Sequence, residues 1–139
     1  MWCGKPSNIK TGKKYLMQIV QARANYHEKG SYGYHLYIFM IRIWPDSKNL
    51  DCFYDTPQIF YDTEKSEKYL VDFVEKATDC HDFISNGEIE FAIGAVFKGI
   101  LTDRIRRIFD GSSVSSKVVY DINVVKHLGY CEVENENEK

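Results

Sequence analysis

The strongest constraint on this chain is the run His35 to Trp44, HLYIFMIRIW, almost wholly apolar, with Arg42 as its one charge. Ile, Phe, Tyr and Trp dominate it, and these residues suit a pleated strand better than a helix. A strand at a sheet surface alternates apolar and polar side chains; this one does not. One parity carries His35, Tyr37, Phe39, Ile41 and Ile43, and the other Leu36, Ile38, Met40, Arg42 and Trp44. Both faces therefore need a cover. One face meets a hydrophobic core; the other meets a second layer, a partner chain or a stacking ligand.

At 139 residues the chain is the size of one domain and can bury a core without staples. Its 10 Tyr and 8 Phe favour a β-rich fold. The net charge of −2 is uneven: the last nine residues, CEVENENEK, carry −3, which leaves the body near neutral. Acidity is thus expected to be a property of the tail. Cys3, Cys52, Cys80 and Cys131 form no CxxC pair, and no export or anchoring run precedes them. The aromatic run is about half the roughly 20 residues of a membrane-crossing helix. These features point to free thiols in a reducing cytoplasm.

Taken in order, the chain reads as a flexible lead over 1–12, a folded domain over 13–129 and a disordered acidic tail over 130–139. Lys13 to Tyr26 reads as a first strand whose apolar parity changes midway, which predicts a bulge. His27 to Gly33 (HEKGSYG) turns it into the aromatic strand as an antiparallel hairpin. Leu50 to Phe60 returns as a third strand, with Pro57 marking an edge. Asp62 or Thr63 caps a helix with Leu70, Phe73, Val74 and Ala77 on one face. Residues 83 to 95 fit a short strand or a short helix. Val96 to Phe109 reads as a strand because Gly94 and Gly99 interrupt its start and Asp110-Gly111 follows it; helical spacing of Leu101, Ile105 and Ile108 is the rival. After the loop SSVSSK, Val118 to Leu128 alternates as a fifth strand. Three strands, a helix and two strands, in a mainly β chain, predict a five-stranded OB-fold barrel with its helix between strands 3 and 4. The alternative is a plain α+β sheet with one covering helix.

Three segments carry a resemblance: GKKYLMQIVQARANYHEKGSYGYHLYIFMIRIW, CFYDTPQIFYDTEKSEKYLVDFVEKATD and FAIGAVFKGILTDRIRRIFDG. In pattern and element order, over about residues 12 to 128, the chain resembles the OB-fold single-stranded-DNA-binding proteins of bacteriophages. The resemblance implies a non-catalytic role in DNA replication or recombination, in the cytoplasm of the host cell. It also implies that the acidic tail recruits replication or recombination proteins, although this tail ends Asn-Glu-Lys where such tails end in an apolar pair.

Single-strand binding needs rings for bases to stack on and cations for phosphates. Tyr34, Tyr37, Phe39 and Trp44 on the second strand, and Phe53 and Tyr54 on the third, supply rings, with Tyr37, Phe39 and Trp44 the better platforms. Arg42, Lys98, Arg104, Arg106 and Arg107 supply charge. On a strand, Arg104 and Arg106 share a face about 7 Å apart, with Arg107 opposed. Core packing of the rings, and pairing of the arginines with Asp103 and Asp110, are the structural alternatives.

Cys80-His81 has no second pair at zinc spacing, and no GxSxG, HExxH, Walker or GxGxxG signature occurs. No metal, cofactor or catalysis is expected. Two other functions fit the same residues: a phage protein-interaction or inhibitor module, with the aromatic strand buried on a partner or in a homodimer, and a protein that sequesters a small nucleotide.

Overall fold

β1 (Lys14–Lys29) is a long strand that changes its inward parity once. Tyr15, Met17 and Ile19 are buried up to that point, and Ala22 after it. The change is the expected bulge: the register against β2 (Tyr32–Trp44) shifts between Ile19 and Gln21. In the computed structural model, which describes residues 5–134, five antiparallel strands form one sheet in the order β3-β2-β1-β4-β5. β3 spans Tyr54–Tyr61, β4 Ala95–Asp110 and β5 Ser113–Tyr130. Residues 96–109 are thus strand, paired with β5 throughout and with β1 only as far as Ile100. Gly111, at φ 60°, makes the turn that an L side chain would strain. β5 begins five residues before Val118, so most of the expected loop SSVSSK is strand.

One helix, α1 (Glu67–Thr78), lies between β3 and β4. Leu70, Phe73, Val74 and Ala77 are buried, as their spacing predicts. The helix starts four residues later than Thr63, whose carbonyl instead accepts the N–H groups of Ser66 and Glu67. Phe73 makes ring contacts with Phe39, Phe60 and Phe97, joining α1 to β2, β3 and β4. His127 of β5 holds the other end, its Nδ1 2.6 Å from the Ala77 carbonyl. Residues 83–95 hold a 3₁₀ turn, Glu90–Ala92.

The barrel expected from the element order does not close. Among the described residues β3 and β5 share no ladder, and the sheet is open between them. Two features account for this. Pro57 removes an N–H from β3, and α1 packs against both β3 and β5. Where the two edges approach, a side chain bridges them: the Ile122 N–H donates to Gln58 Oε1 at 3.2 Å.

Within the lead expected to be flexible, Ile9 is fully buried and the Gly12 N–H donates to the Leu101 carbonyl at 2.9 Å. Within the tail, Cys131 donates its N–H to the Gly94 carbonyl. Residues 135–139, with two of the four glutamates of the acidic run, lie outside the described residues. No helix among the described residues is long and apolar enough to cross a membrane.

Tyr37 is fully buried, and its hydroxyl accepts the Gly87 N–H at 3.0 Å and lies 3.5 Å from Asp62 Oδ2. Burial pushes this phenol above its ordinary pKa, with the Asp62 carboxylate adding to the effect against the Gly87 hydrogen bond. Above about pH 10 the unfolded phenol loses a proton that the native one keeps, so stability falls as pH rises through that window. Urea denaturation should show Tyr37→Phe about 1 kcal/mol less stable at neutral pH. The variant should also lose less stability than the wild type on going above pH 10. Equal alkaline losses in both proteins would contradict this role for Tyr37.

Candidate functional site

The gap between β3 and β5 is a groove of about 710 Å³ with α1 along one side. Strand alternation decides what lines it. Leu101 packs into the core, so Thr102, Arg104 and Arg106 share the opposite parity, and all three border the groove. Tyr61 borders it from β3, and Tyr69 and Lys76 from the helix. Both rings are open to solvent, Tyr61 at 44% and Tyr69 at 61% exposure.

Three cations and two carboxylates border the groove: Lys76, Arg104 and Arg106 against Asp72 and Asp121. Arg104 pairs with Asp121, and Lys76 with Asp72 at 3.2 Å. The side chains of three of these four residues are half exposed or more. Solvated pairs of this kind contribute about 0–1 kcal/mol, so a phosphate can displace either carboxylate. Lys117 stands opposite Arg106 in the ladder and adds positive charge to the same ribbon face.

Rings also lead toward the groove across the outer face of the sheet. His27 stacks on Tyr34 at 5.5 Å, and Tyr34 lies 6.0 Å from Tyr61. Of the residues expected from sequence, Arg104 and Arg106 border the groove, and Tyr34 is linked to it only through its ring contact with Tyr61.

A different trio meets elsewhere. Arg42, Trp44 and Phe53 border a pocket of about 370 Å³, together with Asp51, Glu132 and Glu134. Arg42 is not an available cation there. Its Nε and Nη2 donate to Asp55 at 2.9 and 3.2 Å, its Nη1 donates to the Glu134 carbonyl at 2.8 Å, and its guanidinium lies 3.9 Å from the Phe53 ring centroid. Trp44 Nε1 donates to the Leu50 carbonyl. One cation among three carboxylates makes a poor phosphate site.

The remaining expected residues are dispersed. Tyr37 and Phe39, read as the better stacking platforms, are fully buried, because their parity is the one that faces the core. Tyr54 is half-buried against that core. Lys98 is exposed opposite Lys126, apart from the residues bordering the groove. Arg107 is exposed on the other face of the ribbon from Arg104 and Arg106.

Sequence reasoning missed Tyr61, Tyr69 and Lys76. A signal for two of them was present: Tyr69, Asp72 and Lys76 fall at i, i+3 and i+7, a stripe beside the apolar face of α1. Among the described residues no group of three His, Cys, Asp or Glu side chains could hold a metal. The Cys80 thiol, whose Sγ is 3.1 Å from Asp82 Oδ1, has its pKa raised chiefly by that hydrogen bond, the reverse of what a nucleophilic thiolate needs. No family model matches the chain, and no similar protein was found among curated proteins or solved structures.

Arg42→Ala should act on stability. It strands Asp55 and removes the donor to the Glu134 carbonyl, and hydrogen bonds to charged groups contribute about 1.5–3 kcal/mol. The urea midpoint should fall accordingly; an unchanged midpoint would show that the Arg42–Asp55 pair is dispensable.

Proposed function

We propose that this protein binds single-stranded DNA in the groove between β3 and β5 and catalyses no reaction on it. The observation that carries the reading is the placement of two exposed rings, Tyr61 and Tyr69, on the same groove as Arg104 and Arg106. Bases stack on the tyrosines while phosphates meet the guanidiniums, which is the division of labour single-strand binding requires. Neither contact reads base edges, so sequence preference is weak.

The strand order supports an OB-type reading of the fold. An OB barrel parted between its third and fifth strands has the order β3-β2-β1-β4-β5, with the helix between β3 and β4. In this proposal the groove is that parted seam. The β1–β2 hairpin brings Tyr34 and His27 toward one side, and the β4–β5 hairpin brings the arginines to the other. In this proposal the chain acts as the phage single-stranded-DNA-binding proteins it resembles do, in replication or recombination in the host cytoplasm, with the acidic C-terminal run engaging partner proteins.

The test is fluorescence anisotropy with a labelled oligo-dT of about 30 nucleotides, long enough to exceed the 4–16 that one OB fold covers. Binding should weaken with salt and be competed by single strands better than by duplex. Tyr61→Ala and Tyr69→Ala should each weaken it by about 1–3 kcal/mol, the value of one stacked base. Arg104→Ala combined with Arg106→Ala should reduce the slope of log K against log salt by about 1.4, or 0.7 per phosphate contact. Tight binding with an unchanged slope in the double variant would move the site away from the groove.

A further inference from the structure

The pocket of about 370 Å³ on the outer face of β1 and β2 shares no bordering residue with the groove, so what it does is independent of DNA binding. Its size is that of a small-molecule site. Val96, Gln18 and Arg42 lie in one row across the ladder and form part of its lining. Residues 131–134 cross beside that row, held where Gln18 Nε2 donates to the Cys131 carbonyl at 2.9 Å and Arg42 Nη1 to the Glu134 carbonyl. Trp44 and the turn that follows it complete the walls.

Two features of this pocket ask for a ligand. The first is Gln18, only 4% exposed. Its Nε2 also reaches the Gly94 carbonyl at 3.4 Å, and two acceptor carbonyls on one side fix which way the amide points. Its Oε1 receives no hydrogen bond among the described residues and is open to the pocket that Gln18 borders. The second is charge. Asp51, Glu132 and Glu134 border the pocket, and among the described residues none of the three carboxylates pairs with a cation. Arg42, which borders it too, is held by Asp55. Lys98 stands opposite Leu16 in the ladder and does not border the pocket.

We infer that this pocket binds a linear aliphatic polyamine. One ammonium donates to Gln18 Oε1, and the others meet the exposed carboxylates at the rim. The methylenes between them lie along Leu16, Val96 and Trp44, whose indole face also attracts a cation. A metal ion is the weaker occupant. It needs ligands converging on one point, and among the described residues no three acidic, His or Cys side chains do so. A lysine side chain is weaker too, because its single charge leaves two of the three carboxylates unmatched.

Isothermal titration calorimetry of the full chain with spermidine at low salt tests the inference. One saturable site should appear and weaken as salt rises. Spermidine should bind at least about tenfold tighter than butylamine, which carries one ammonium. Asp51→Asn, Glu132→Gln and Glu134→Gln should each weaken binding about two- to fivefold, as exposed charge pairs do, and the triple variant about tenfold or more. Gln18→Met removes the acceptor at similar volume and should weaken binding about fivefold or more. Circular dichroism checks that each variant is folded; should Gln18→Met unfold, the carboxylate variants and the amine series decide. No saturable binding by about 1 mM spermidine, or unchanged binding in the triple variant, would overturn the proposal. So would butylamine or N-acetyl-lysine methylamide binding as tightly as spermidine, the latter assigning the pocket to a protein's lysine side chain.

Discussion

The contact on which the rest of this structure depends is Phe73 of α1 seated among Phe39, Phe60 and Phe97. These rings come from β2, β3 and β4, so one helical side chain holds three strands to a common core. Burying such a ring stabilises by about 1.5–3 kcal/mol, but its position matters more than its size. It fixes α1 against the inner face beside the open edge of the sheet, and His127 fastens the helix C-terminus to β5. With the helix held there, β3 and β5 are bridged by Gln58 rather than by a backbone ladder. The groove and the exposed tyrosines along it follow from that arrangement.

Much of the architecture is legible in the sequence because it is local. The bulge in β1 appears as a change of apolar parity after Ile19, and the buried face of α1 as the spacing of Leu70, Phe73, Val74 and Ala77. Asp110-Gly111 marks the β4–β5 turn, and alternation alone places Arg104 and Arg106 on one face and Arg107 on the other. Other features depend on relations between distant residues. Both parities of β2 are apolar, so nothing in the run itself says that Tyr37 and Phe39 face inward while Tyr34 and Trp44 face out. Whether the sheet closes depends on how two edge strands separated by more than fifty residues meet. Arg42 reads as an exposed cation until Asp55 and the Glu134 carbonyl are found around it.

The two ribbon faces divide the chemistry of the β4–β5 hairpin. Strand alternation gives the groove its cations and gives the opposite face its apolar side chains from the same short segment, residues 104–109. A β-ribbon without a covering layer exposes both faces, so each needs its own reason to be in water. The basic face is soluble as it stands and borders the proposed groove.

The most direct test of the groove as the binding site is ultraviolet crosslinking of oligo-dT to the full chain, with the attachment points mapped by mass spectrometry. A strand stacked as proposed places thymine against Tyr61 and Tyr69, at the stacking distances that crosslinking requires. The expected result is modification of the peptides carrying these two residues, suppressed by unlabelled single strand. Crosslinks confined to Trp44 and Phe53, or absent while binding is saturated, would contradict the account.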